Sequence, residues 1–276
     1  MTVRPADISH ASEVHAAEQI AYRQRLDVFL ASRDAGETLT VDRLRDGIRL
    51  MPVVSAAEDV TRYVDTALAV VRDEYDPPLE CRAGCTFCCC KPGVLATVPE
   101  VLRLVEFVQT TFSAARIEAL TTRTDAYAAS VGRRSFNDPF NESIPCPLLV
   151  DGLCSAYEVR PLVCRGYNST SVDACRAASV DSSAAVPIFA LLKDVTDGAT
   201  VGVSHGLQAR GVNGSLVDLG TALHIALHVH PPFADAVLAG SVSLETAENP
   251  VLVRQLWTAV CETARQVGIP IRDGNR

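Results

Sequence analysis

Five of the chain's ten cysteines fall within the ten-residue run Cys81-Arg-Ala-Gly-Cys85-Thr-Phe-Cys88-Cys89-Cys90. Thiols crowded this closely repel one another once ionised, and alone they are a liability in an apolar core. A soft metal reverses the penalty, because it stabilises the thiolate form and draws several sulfurs to about 2.3 Å from one centre. Gly84 suits such a loop, since a chain wrapping a metal needs a left-handed residue. A second group follows at Cys146, Cys154, Cys164 and Cys175. Pro145 and Pro147 stiffen the chain around Cys146, and Asp151-Gly152 marks a turn that presents Cys154. The stretch Tyr157-Glu-Val-Arg-Pro161-Leu-Val-Cys164-Arg165 sets a thiol beside two guanidinium groups, Arg160 and Arg165, whose charge offsets that of a thiolate cluster. Disulfides are the competing reading, and a reducing compartment disfavours them.

The run Cys81-x3-Cys85-x2-Cys88-Cys89, Cys-Pro-Leu-Leu at 146–149, Gly-x-Cys at 152–154 and Tyr-Glu-x-Arg-Pro-x-x-Cys-Arg at 157–165 together resemble the YkgJ-type cysteine-cluster family. That family is described as a zinc- or iron-chelating CxxCxxCC domain and includes the flagellin lysine N-methylase. The resemblance covers roughly residues 79–176. It implies a metal held by Cys81, Cys85, Cys88, Cys89, Cys146, Cys154, Cys164 and Cys175; Cys90 is an addition to the family pattern and stays outside this set. It also implies an alternative activity, S-adenosylmethionine (SAM)-dependent methylation of protein lysines. A further role, as a partner in modifying some protein or peptide, stays open beside it.

Eight thiolates fit two four-coordinate zinc sites, or one iron–sulfur cluster and a further site. Ligand softness does not decide, because thiolates select both. The Cys81-x3-Cys85-x2-Cys88 spacing leans toward a [4Fe-4S] cluster, being similar to that of radical SAM enzymes. Two features depart from that pattern. The aromatic residue, Phe87, precedes the third cysteine instead of following the second, and the chain is too poor in strand patterns for a β/α barrel.

The elements that must position these thiols read as helices, giving a mainly α protein with a metal-organised, loop-rich cysteine cluster. Three segments suggest themselves, packed as one unit: a helical N-terminal segment (1–78), the cysteine-cluster metal-binding domain (79–176) and a helical C-terminal segment (177–276). In the first, Val60, Tyr63, Val64, Ala67, Leu68 and Val71 form an apolar stripe on a helix expected from Ser55 to Tyr75. Ser55 and Glu58 have capping-box spacing there, and Pro77-Pro78 ends it. Weaker helices are expected over 12–33 and 40–50. Within the cysteine segment, helices should start near Thr97, with Glu100 three residues on, and near Ser113; residues 135–147 should form a loop. The strongest periodic stretches of the last segment are 214–230 and 250–267, the first starting around Ser215.

The remaining chemistry-bearing residues read as structural. His224, His228 and His230 flank the apolar face of the 214–230 helix, and the first two have metal-ligand spacing, but their place near a helix C-terminus accounts for them through its dipole. Cys261, a helical turn after Trp257, reads as a small buried hydrophobe. Asp138, Glu142 and Asp151 read as solvated loop carboxylates. A formal charge of −8 argues against non-specific nucleic-acid binding, which requires a basic face. No basic head followed by an apolar run opens the chain, and no apolar stretch nears the roughly 18–20 residues of a membrane span. The expectation is a cytoplasmic protein whose partners are a metal ion or cluster, with neither membrane nor nucleic acid.

Overall fold

The computed structural model describes residues 5–91, 93–131, 143–181, 183–229, 233–248 and 250–268. Strand in these residues is confined to four two-residue pieces, and helices carry the rest of the architecture, so the protein is mainly α. The helices are α1 (Pro5–Arg43), α2 (Leu50–Tyr75), α3 (Val98–Thr111), α4 (Ala114–Val131), α5 (Leu162–Gly166), α6 (Val172–Val180), α7 (Ala190–Ala209), α8 (Leu219–His228), α9 (Phe233–Leu238) and α10 (Pro250–Gln266). The strands are β1 (Leu95–Ala96), β2 (Leu149–Val150), β3 (Leu153–Cys154) and β4 (Val217–Asp218). Antiparallel pairing joins β1 to β4 and β2 to β3.

The longest helix, α1, runs about 58 Å at 1.5 Å per residue and replaces the two weaker helices expected over 12–33 and 40–50. What keeps it continuous is α7, which lies along it. Gly198, Gly202 and Gly206 recur every fourth residue on α7 and face α1. A Cβ at Gly198 would stand 2.3 Å from the Phe29 carbonyl oxygen, and one at Gly202 only 2.1 Å from that of Arg33. From the other side, a Cβ at Gly36 would meet the Ala199 carbonyl oxygen at 2.6 Å. The two backbones therefore touch directly. Glycine costs a helix about 1 kcal/mol per residue relative to alanine, and this close packing offsets it. Arg25 locks the pair with two bonds to the Asp194 carboxylate, at 2.8 and 3.0 Å.

Helix α2 starts at Leu50, five residues before the expected Ser55, and Arg49 precedes it without a side-chain cap. Burial explains the extension: Val53, Val54, Ala56 and Ala57 continue the face formed by Val60, Val64, Leu68 and Val71. Pro52 is tolerated because the N–H groups of a first turn have no helical partner. The helix ends at Asp76, in the left-handed region at φ 41°, ahead of Pro77-Pro78. Helix α3 begins at Thr97 as its sequence predicts, and α4 follows Ser113, whose hydroxyl accepts from the Arg116 N–H at 3.4 Å. Helix α8 starts later than Ser215 because Val217 and Asp218 pair with Ala96 and Leu95; Asp218 then caps the helix through the Thr221 N–H at 2.9 Å. The 250–267 stretch forms α10.

One core joins these parts. It packs Val60 and Leu68 of α2, Leu104 of α3, Leu192 and Val203 of α7 and Leu223 of α8 against Leu148, Ala156 and Leu162 from between the later cysteines. The cysteine segment is thus rooted in apolar packing. No helix among the described residues is long and apolar enough to cross a membrane.

Candidate metal centre

At the Cys88–Cys90 turn, main-chain bonds bring the two cysteine groups together. Cys88–Cys90 form a single 3-10 turn, and two carbonyls of that turn accept bonds from the second group. Cys89 takes the Cys146 N–H at 2.7 Å and Cys90 takes the Ile144 N–H at 3.1 Å. Before the turn, Gly84 sits at φ 81°, the left-handed geometry expected of it, so the chain can reverse between Cys81 and Cys85.

The second group is built from a hairpin and two short helices. Asp151 and Gly152, at φ 51° and 75°, make the tight turn between β2 and β3 that presents Cys154, paired with Leu149. Cys164 rides on α5, whose position depends on Glu100. One carboxylate oxygen of Glu100 accepts the Leu162 N–H at 2.6 Å; the other accepts the Thr97 N–H at 2.7 Å and the Thr97 hydroxyl at 2.8 Å. A single buried side chain thus starts both α3 and α5. Its spacing from Thr97 identified the first role, and nothing local in the sequence signals the second. Cys175 lies on α6, capped by the Ser171 hydroxyl, and Glu80 reaches the Val172 N–H at 2.6 Å. Glu80 also bonds Ser169 through its own N–H at 3.0 Å, and Ser169 donates its N–H to Cys81 Sγ at 3.2 Å. Residues 80–81 and 169–172 are thereby fastened side by side.

The two arginines have separate tasks. Arg165 is almost wholly buried and its donors are taken up by Asp65 at 2.8 Å and by the Glu158 and Arg160 carbonyls at 2.7 and 3.2 Å. It ties the cysteine segment to α2. Arg160 lies over the Tyr157 ring at 3.8 Å, and its charge favours the Cys154 thiolate.

The thiols lie within electrostatic reach of their neighbours. Cys81 feels Cys85 and Cys175, while Cys88 feels Cys85, Cys89 and Cys164. Cys164 in turn feels Cys146, Cys89 and Cys154. Burial pushes the Cys146 thiol up to about 12 and raises Cys154 and Cys164 too. Cys88 and Cys89 share a hydrogen bond, which raises Cys88 and lowers Cys89 to about 7. Among the described residues no three of these sulfurs lie within 4.8 Å of one another, so the patch is gathered without being closed. The donor set fits a soft cation: it is sulfur throughout, and each buried thiolate is disfavoured by apolar surroundings and like charge, both of which a bound cation offsets. Cys261 stands apart, half-buried on α10, a helix that packs against α1. Residues 132–142, with Asp138 and Glu142, and His230 lie outside the described residues. Asp151 serves as the turn residue of the hairpin.

The fold and this patch define a helical protein with a cysteine-rich segment set among its helices. Residues 80–183 match the family model "CxxCxxCC: Putative zinc- or iron-chelating domain", and over this segment the chain is similar to that cysteine-cluster family. No curated protein and no solved structure matches the chain.

Proposed function

We propose that Cys81, Cys85, Cys88, Cys89, Cys146, Cys154, Cys164 and Cys175 hold an iron–sulfur cluster or zinc, with a [4Fe-4S] cluster the favoured occupant, in a cytoplasmic metal-binding protein. The observation that carries this reading is the meeting of two thiol groups far apart in sequence, through the Cys146–Cys89 and Ile144–Cys90 main-chain bonds. The Cys81-x3-Cys85-x2-Cys88 spacing supports iron–sulfur over zinc. The functional unit on this reading is the segment 79–176, with the helical segments 1–78 and 177–276 packed around it. A bound cluster would supply a one-electron couple, and zinc a structural crosslink; the protein's part is to hold the thiols, bury them and balance their charge.

Metal and acid-labile sulfide analysis on protein purified without oxygen tests the proposal. Iron with sulfide and absorption at about 400 nm selects the cluster; zinc in a colourless protein selects the alternative. Absence of both metals overturns the reading. Cys164→Ser and Cys146→Ser should each lower the metal content strongly, and Cys90→Ser and Cys261→Ser should leave it unchanged.

SAM-dependent methylation of protein lysines is the rival activity. It requires an iron left open by three cysteines, and the adjacent Cys89 supplies a fourth thiol. Strands in the described residues never exceed two residues, so these residues form no β/α barrel. SAM binding to the anaerobic, reduced protein, with a change in the cluster spectrum, would favour the enzyme.

A further inference from the structure

The helix pair α4–α8 is fastened at two points. At the N-terminal end of α8, Tyr127 donates its hydroxyl to Asp218 at 2.9 Å, and its ring lies where a Cβ on Gly220 would stand, 2.2 Å from the nearest ring atom. The other point is different in kind. His224 and His228, one turn apart on α8, both face Asp125 of α4. His224 Nδ1 lies 3.0 Å from Asp125 Oδ1, and His228 Nε2 lies 3.4 Å from the same oxygen. The two rings stand 4.6 Å apart between centroids. Among the described residues this is the one group of three metal-ligating side chains whose donor atoms all lie within 4.8 Å of one another.

The tautomer of His228 adds a second, independent observation. Its Nδ1 lies 2.8 Å from the His224 carbonyl oxygen, which can only accept, so Nδ1 carries the hydrogen. In the neutral ring, Nε2 is then a bare lone pair, and it faces a carboxylate oxygen. Two acceptors in that position are joined either by a proton, as an imidazolium–carboxylate pair, or by a metal cation. An Nδ1–H held by a backbone carbonyl is also the usual way a protein orients a metal-binding imidazole. The spacings suit an ion. Bonds of about 2.0 Å to nitrogen and oxygen in a tetrahedral site set neighbouring donors about 3.3 Å apart, against 3.0 and 3.4 Å here.

We propose that Asp125, His224 and His228 form a second metal site, chemically distinct from the thiolate patch, for a borderline divalent cation of the zinc class. His228 binds through Nε2, His224 through Nδ1 as its Nε2–H tautomer, and Asp125 through a carboxylate oxygen. All three side chains are between a third and a half exposed, which leaves room for water at the remaining position. Mixed imidazole and carboxylate donors select zinc over magnesium or calcium, which prefer oxygen alone. The bound ion bridges α4 to the C-terminal end of α8.

Zinc titration calorimetry on the full-length protein with its thiolate metal in place tests this. The parent should take up one further zinc per chain, and the His224→Ala/His228→Ala double variant should not. Asp125→Asn, an exposed isosteric change that leaves the fold intact, should weaken the added zinc by about tenfold or more. Zinc should also raise the melting temperature of the parent and leave the double variant unmoved, with thiolate-bound metal equal in both. Failure of the parent to bind added zinc, or equal uptake by parent and double variant, overturns the proposal. Neither result touches the thiolate reading, which rests on other residues and other metal analyses.

Discussion

Replacing Glu100 should couple a loss of stability to a loss of metal. Its carboxylate receives the Leu162 N–H at 2.6 Å and the Thr97 N–H at 2.7 Å in a buried site. Glu100→Ala leaves both amides without a partner, and a buried unsatisfied donor costs about 1–3 kcal/mol. The two together set an expected loss of about 2–6 kcal/mol, lessened by removal of a carboxyl whose pKa burial holds above its usual range. Glu100→Gln retains an acceptor for one amide but turns an NH2 group toward the other, so about 1–3 kcal/mol is expected. Urea unfolding supplies the stability; hydrogen exchange at the Leu162 amide supplies the location. A local loss of 1.4 kcal/mol is a tenfold faster exchange wherever opening is the limiting equilibrium. Because α5 carries Cys164, metal content should fall in the same order, Ala below Gln below parent. If Glu100→Gln matches the parent in urea midpoint and in Leu162 exchange, the argument that this side chain positions α5 is wrong.

Gly202→Ala forces a Cβ to within 2.1 Å of the Arg33 carbonyl oxygen. Helices α1 and α7 must part, and the denaturant midpoint should fall by the equivalent of about 1–3 kcal/mol despite the better helix propensity of alanine; an unchanged midpoint contradicts the close packing. In the metal-free, reduced protein the adjacent Cys88 thiol holds Cys89 at about 7, below the ordinary thiol range. A depressed pKa stabilises the fold above the unfolded value, and the contribution is lost as pH falls through about 7. Iodoacetamide at pH 8 should therefore modify Cys89 first, with a rate that drops below neutrality, and Cys88 and Cys146 late, since both thiols are raised, Cys146 to about 12. Equal rates at these positions would count against the paired hydrogen bond. Chelation should leave residues 146–166 protected from protease, because Glu100, Arg165 and the core hold them; cleavage there on metal removal would show the metal to be their main support.

What the sequence made legible was local. The αL geometry of Gly84, the Asp151-Gly152 turn and the Thr97 start of α3 each follow from the residues present at that place. The long-range features were hidden for equally physical reasons. Glycines spaced along 198–206 weaken a helix read alone, yet they are what lets α7 lie against α1, so propensity argued against the element that tertiary contact requires. Ser55 and Glu58 have the spacing of a cap, but the buried run Val53–Ala57 outweighs it. His224 and His228 face the side of α4, and their periodicity alone could not reveal Asp125, because that residue comes from a different helix.

The two carbonyl–amide bonds from Cys89 and Cys90 to Cys146 and Ile144 have a consequence for how quickly the centre fills. Bringing the ends of a loop this long together from a free chain costs on the order of 3–4 kcal/mol in configurational entropy. Here main-chain bonds and a shared core carry that cost during folding. An incoming ion need not wait for a diffusive search by distant segments, and its uptake is set by rotation of individual thiols on a scaffold already closed. The effective concentration of the second set of sulfurs around the first is that of an intramolecular ligand, and partial filling by the first thiols should commit the rest.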